Sequence, residues 1–253
     1  MNNTKISWTN KSINPVTGCT HAGTPECDHC YARVMAKRLK AMGILKYSQG
    51  FTPAMHPDVI AQQLKDAANK RKITSCFLVS MGDLFHSNVT DSFIDDVMAM
   101  VEQTPKVVYQ VLTKRAERME LYFSTHKVPA NLWVGVTCGH PQSLPRIENL
   151  RRIAAPVRFI SAEPLLDDIV AAGLNLDGVD WIIVGGESGK CARQMQESWV
   201  LSVKQLADAS GTAFFFKQVG SVSFDGKRRS AKANGDLLQG KQYHNYPTPR
   251  INY

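Results

Sequence analysis

The chain is 253 residues long, 43% hydrophobic and 21% charged, with 17 Gly and 12 Pro spread along it. Such values fit a folded protein of one large or two small domains and exclude wholesale disorder, collagen and a disulfide scaffold. Lys and Arg outnumber Asp and Glu by 30 to 22, giving a formal charge of +8 that makes a polyanionic partner worth testing without naming one.

No run of about 18 apolar residues offers a membrane span, and the opening MNNTKISWTN has no apolar stretch of signal type. We therefore expect a cytoplasmic protein with no membrane partner. No internal repeat is present, which argues against solenoids and propellers. In chain order, a short first strand is predicted within Lys5 to Trp8. A helix follows over Tyr31 to Met42, and a second over Asp58 to Lys72 with Pro57 at its start. Apolar, β-branched runs then predict buried strands at Cys76 to Ser80, Val107 to Thr113, Leu132 to Thr137, Val157 to Ser161, Trp181 to Val184 and Ala213 to Phe216. Helical spacing separates them: Asp91 to Val101 behind a Thr90 N-cap, Ala116 to Phe123, Leu144 to Ile153, and Trp199 to Ala209 behind Ser198.

Continuous apolar strands alternating with helices predict an α/β fold with a parallel sheet covered on both faces, doubly wound or a partial or full (β/α) barrel. The absence of G-x-G-x-x-G after the first strand turns the choice to the barrel. Residues 1–220 form this single domain, with a cysteine loop at 18–31. Residues 221–253, rich in Gly, Ser, Lys, Arg and Asn and carrying Lys227, Arg228 and Arg229, read as an irregular basic C-terminal extension.

Three of the six cysteines, Cys19, Cys27 and Cys30, crowd into twelve positions as C-x7-C-x2-C on a loop entering a helix. In a reducing compartment this spacing predicts a metal or cluster rather than disulfides. Structural zinc would want a fourth ligand, for which His21 and His29 stand nearby. A [4Fe-4S] cluster on three cysteines would instead leave one iron open to a small molecule. Cys76, Cys138 and Cys191 read as core or loop fillers, and Phe214, Phe215 and Phe216 as strand core rather than a base-stacking platform. His56 and His86 lack ligand spacing.

Three cysteines on the loop after the first strand of a parallel barrel, followed by an aromatic residue and a helix, resemble the radical S-adenosylmethionine (radical SAM) superfamily. Its usual spacing is C-x3-C-x2-C, so the x7 gap is a departure. More narrowly, Asn14 to Cys19, Cys27 to Ala32, Ser80 to His86, Leu112 to Arg115, Glu163 to Leu166 and Gly185 to Gly189 resemble a phage-associated family with a three-cysteine motif, grouped with radical SAM proteins.

That resemblance implies a [4Fe-4S] cluster on Cys19, Cys27 and Cys30. It also implies bound S-adenosylmethionine, His29 near the adenine, and a reducing partner of flavodoxin or ferredoxin type. Ser80, Met81, Gly82 and Asp83 follow a strand and would hold the methionine amine. Thr113, Lys114 and Arg115 would meet its carboxylate. Tyr31, Ser161, Gly185 and Gly186 complete the expected cofactor set, and Glu163, Glu187 and Lys217, at later strand ends, are the catalytic candidates. With the basic excess, the expected substrate is a nucleic acid base or nucleotide. Two other classes stay open: a non-enzymatic zinc- or cluster-stabilised nucleic-acid-binding protein, and a metal-dependent hydrolase, which no H-x-H motif at a strand end supports.

Overall fold

An eight-stranded sheet runs through the computed structural model, which describes residues 2–68 and 74–249. Its strands are β1 (Asn2–Asn3), β2 (Lys11–Ile13), β5 (Thr74–Leu78), β6 (Val107–Thr113), β7 (Leu132–Thr137), β8 (Arg158–Ala162), β9 (Trp181–Gly185) and β10 (Ala213–Gln218), side by side in that order. Every pairing from β2 to β10 is parallel and only β1 runs antiparallel. Among the described residues β10 does not pair with β2, so the sheet curls into a half-barrel with two edges. A separate ribbon joins β3 (Val16–Thr17) to β4 (Ala54–Met55).

Helices α1 (Tyr31–Ala41) and α2 (Pro57–Ala68) lie between β2 and β5. They are followed by α3 (Asp91–Glu102), α4 (Ala116–Thr125), α5 (Pro145–Arg151) and α6 (Glu197–Ser210), each between consecutive strands except β8 and β9. All six residues of β7 are buried, as expected of a strand covered on both faces. Thr90 caps α3 by accepting from the Phe93 N–H, and α6 ends on Gly211 in the left-handed region. The α6 cap itself is Gln196, two residues before the predicted Ser198. The predicted end of α2, 69–72, lies outside the described residues.

Two cores result. The outer one packs α3, α4 and α6 residues such as Ile94, Met119 and Val203 against Tyr109, Val134 and Ile182 of the sheet. The inner one is an aromatic floor of Trp8, Phe77, Trp133, Phe159, Trp181 and Phe215. Trp8 meets Phe77 at 4.7 Å and stands edge-on to Trp181 at 6.1 Å. Gly135 leaves room for this floor, because a Cβ there would fall 2.5 Å from the Phe159 ring.

The floor corrects one expectation. Lys5 to Trp8 is not a strand: Trp8 turns inward to be 2% exposed, and the first parallel strand is Lys11–Ile13, which pairs with Cys76–Leu78. Thr9 donates to Gln110 at 2.8 Å, and the Asn10 carboxamide accepts from Ser75, so side chains splice this turn to the sheet.

The segment 221–249 carries one helical turn, α7 (Ala231–Asn234), and a small hairpin of β11 (Leu237–Leu238) with β12 (Lys241–Gln242). It runs along the free edge of β10, where the Phe216 N–H donates to the Tyr243 carbonyl at 2.7 Å and His244 stacks on Phe215 at 4.3 Å. Its basic triplet is exposed and only partly paired, with Asp225 the one carboxylate for three cations among the described residues. Arg229 pairs with Asp225 at 3.0 Å, and Arg228 donates to the carbonyls of Gly189 and Ala192.

Trp181 joins most of the aromatic floor and is fully buried, whereas Leu121 is 71% exposed. Trp181→Ala is expected to cost about 3–5 kcal/mol in denaturant unfolding and Leu121→Ala no more than about 0.5 kcal/mol; equal losses would contradict a shared inner floor.

Candidate active site

The three clustered cysteines lie on a loop at the end of the half-barrel where strands pass into helices. Gly18 opens it in the left-handed region, and a Cβ there would collide with the Thr52 carbonyl oxygen at 2.2 Å. Gly18 donates to the Met81 carbonyl at 2.9 Å and bridges to Gly82, whose missing side chain permits the approach. A short 3-10 turn at Pro25–Cys27 follows, and Cys30 stands at the N-terminus of α1. Cys19, Cys27 and Cys30 are free thiols that all line one cavity of about 570 Å³. Burial and the Asp83 carboxylate push the Cys19 thiol up to about 11, against the pull of Arg115.

Three arginine–carboxylate pairs pin this loop to different strand ends. After β5, Asp83 accepts from the Thr113 hydroxyl at 2.7 Å and the Phe85 N–H on one oxygen, and from the Lys114 N–H and the Arg115 guanidinium on the other. Arg115 in turn donates to the Cys19 sulfur at 3.3 Å and to both oxygens of Thr20. His86 supports Thr20 at 2.9 Å; its Nδ1 accepts from the Asn88 N–H, so its Nε2 carries the proton. Burial lowers the basicity of this imidazole.

Beyond β7, Arg146 donates to the Thr137 carbonyl at 2.8 Å and the Thr24 hydroxyl at 2.7 Å, and lies 3.8 Å from Glu26. Glu26 is buried and accepts from Gly139 N–H and the Ser143 hydroxyl. Burial pushes its carboxyl upward, but hydrogen bonds from Ser143, Thr24 and Gly139 together hold it below the usual range.

After β9, Glu187 accepts from Arg193 at 2.7 Å on one oxygen, and from the Arg193 N–H and Nε and from His29 on the other. Burial opposes ionisation of Glu187, and the Arg193 bonds overcome it, keeping the carboxyl below its ordinary value. Arg193 also reaches the Pro25 carbonyl and Asp28.

Of the candidate fourth zinc ligands, His21 has both ring nitrogens bonded, to Asp28 at 3.0 Å and to the Gly23 N–H, whereas His29 bonds Glu187 at 3.0 Å through Nδ1 alone and lines the cavity. Among the described residues no three His, Cys, Asp or Glu side chains are grouped to hold a single metal ion. Three thiols sharing a cavity are a donor set that a thiolate-bound cluster, or zinc with a fourth ligand, would use.

Across the cavity, Glu163 pairs with Lys217 at 2.6 Å and accepts from Ser161 at 3.2 Å. Gly185 gives Glu163 clearance, and Gly186 approaches the Val219 carbonyl where no Cβ would fit. The Tyr31 hydroxyl donates to the Ser80 carbonyl, while the Ser80 hydroxyl and the Met81 N–H both donate to Asn14. Val79, at φ 65, bends the chain into this turn; a β-branched residue there stores about 1–3 kcal/mol.

Of the residues singled out in the sequence, His29, Tyr31, Ser80, Gly82, Asp83, Thr113, Lys114, Ser161, Glu163, Gly186, Glu187 and Lys217 line the cavity with the cysteines. Met81, Arg115 and Gly185 do not: Met81 packs beneath α1 with Ala32, Ala36 and Tyr47, and Arg115 lies behind Cys19. Asn14, Glu26, His86, Arg146 and Arg193 were absent from the sequence-based set. Arginines on or before helices read there as solvated charges, and nothing local marks partners 66 to 168 residues away.

A family model described as "Protein of unknown function (DUF5131)" matches residues 3–247. No curated protein matches the chain. Among solved structures, spore photoproduct lyase complexed with dinucleoside spore photoproduct is similar with a TM-score of 0.48 and 11% identity, over 82% of this chain and 63% of that chain. A mutant of the same lyase with bound AdoMet and the dinucleoside photoproduct gives 0.47 at 11% identity with the same coverage. The chain thus spans 63% of the length of these lyase chains.

The Glu187 side chain is 6% exposed and that of Arg193 32%. Arg193→Ala is expected to cost about 2–4 kcal/mol, a buried carboxylate losing a partly exposed partner, and Glu187→Gln in the same chain to recover part of it. A double-mutant cycle with no coupling would contradict the pinning role.

Proposed function

The chain belongs to the DUF5131 family of proteins of unknown function, and from its site we propose that it is a radical S-adenosylmethionine enzyme. The observation that carries this reading is the cavity at the strand-end face of a parallel half-barrel, lined by three free cysteines and by polar residues from successive strand ends. Cys19, Cys27 and Cys30 would hold a [4Fe-4S] cluster. With S-adenosylmethionine bound, such a cluster supplies one-electron cleavage of the sulfonium and a 5'-deoxyadenosyl radical able to take hydrogen from a substrate.

The chain's own residues then have separable tasks. Both Asp83 oxygens are occupied by Thr113, Phe85, Lys114 and Arg115, so Asp83 shapes the wall and orients Arg115 against Cys19. Lys114 lines the cavity and forms no ion pair among the described residues, which makes it the cation for the methionine carboxylate. Ser80 and Gly82 offer acceptors beside it for the amine. His29, held by Glu187, flanks the adenine. Glu163 and Lys217, on the opposite wall, present a carboxylate and an ammonium to the substrate.

For the substrate we favour a nucleic acid base or nucleotide. The supporting features are the +8 charge, the cavity-lining Lys5 and Lys114, and the exposed 227–229 triplet, for whose three cations Asp225 is the one carboxylate among the described residues. The electron would come from a flavodoxin- or ferredoxin-type partner in a reducing cytoplasm, where all six cysteines stay free.

Anaerobically reconstituted protein given dithionite and S-adenosylmethionine is expected to form 5'-deoxyadenosine, and Cys30→Ala to reduce it to background; formation that survives loss of Cys30 would overturn the reading. Lys114→Ala should raise the KM for S-adenosylmethionine about tenfold or more, the worth of one charge-assisted hydrogen bond.

A further inference from the structure

Helix α1 begins at Tyr31, directly after Cys30, and contributes little to the core. It buries only Ala32 and Ala36, small residues that let it lie close on Tyr47 and Met81. Its outward side carries large apolar residues among cations. Val34 is 67% exposed and Met42 65%, with Met35 between them, and Leu45 in the following turn is 87% exposed. Tyr31, Val34, Met35, Arg38 and Met42 fall at i, i+3, i+4, i+7 and i+11, which is one continuous stripe on a helix. An apolar stripe this exposed on a helix marks a contact surface.

The charges around it have one sign. Between His29 and Pro57 there is no Asp or Glu, while Arg33, Lys37, Arg38 and Lys40 lie on the helix. Among the described residues none of these four forms an ion pair, in contrast to Arg115, Arg146 and Arg193. An apolar, Met-containing centre with an unpaired cationic rim is the surface a protein with an acidic face would cover. Nucleic acid fits less well, since Val34, Met35, Met42 and Leu45 offer it no hydrogen bond and the Tyr31 hydroxyl is committed to the Ser80 carbonyl.

We propose that this face of α1 docks an acidic one-electron carrier protein, which delivers its electron beside Cys30. The proposal rests on the radical enzyme reading and adds to it the place of entry. One electron would leave the reduced carrier, oxidising it by one, and reduce by one the cluster that Cys19, Cys27 and Cys30 would hold at the start of α1; no proton or group moves with it. Tyr31 belongs both to this stripe and to the cavity lining, so a bound carrier would sit at the cavity rim without filling the cavity.

The test uses the full chain, a flavodoxin as probe, and two surface variants, Lys37→Glu/Lys40→Glu and Val34→Asp, with thermal melts to verify folding. Calorimetry should show flavodoxin binding that weakens with salt, and each variant should lose about tenfold or more in affinity. Dithionite-driven 5'-deoxyadenosine formation should be unchanged in both variants, while flavodoxin-driven formation falls. Variants that bind flavodoxin like the unaltered protein would overturn the proposal. So would variants that keep flavodoxin but lose a single-stranded oligonucleotide or phosphatidylserine vesicles. If the unaltered protein makes no 5'-deoxyadenosine with dithionite, the enzyme reading fails, and the binding measurement still judges the docking face separately.

Discussion

A loop of irregular backbone must hold three thiols toward one cavity, and nothing within the loop is rigid enough to do so. Ordering each such residue costs about 1–2 kcal/mol of backbone entropy, with few apolar contacts to offset it. The compensation comes from outside, through Arg115 with Asp83, Arg146 with Glu26, and Arg193 with Glu187. Each arginine bonds loop atoms on one side and a carboxylate or strand end on the other. Thr20, Thr24 and Pro25 are thereby referenced to the ends of β6, β7 and β9. The carboxylates are buried, so losing an arginine would leave an uncompensated charge.

The half-barrel explains why these anchors converge. Parallel strands bring all their C-terminal ends to one side, and polar residues just past each end collect there although they are far apart in sequence. The opposite end is filled by the aromatic floor around Trp181, leaving the cavity between floor and loop. Since the sheet does not close, its β10 edge is covered by the returning chain at Tyr243 to Asn245, and the N-terminal segment contributes Thr4, Lys5, Ile6 and Trp8 to the cavity lining.

How much of this was legible depended on range. β6 and β7 were readable to the residue because a strand covered on both faces writes a continuous apolar run. Lys11–Ile13 was not, since three residues between Asn10 and Asn14 carry no periodicity and the apolar Trp8 beside them serves the floor. Spacing singled out Cys19, Cys27 and Cys30, and the structure brings them to one cavity. Arg146 and Arg193 were invisible because their partners, Thr24 and Pro25, are 122 and 168 residues away. Asp83, expected to hold a ligand amine, lines the cavity and accepts from Phe85, Thr113, Lys114 and Arg115, most of which the neighbouring strand end brings to it.

The account turns on the cysteine loop holding a multi-iron cluster at the cavity that Cys19, Cys27 and Cys30 line. Iron, acid-labile sulfide and zinc measured together on anaerobically reconstituted protein test this most directly. The account predicts four iron and four sulfide per chain, as a [4Fe-4S] cluster requires. One tightly bound zinc per chain with no sulfide would contradict it.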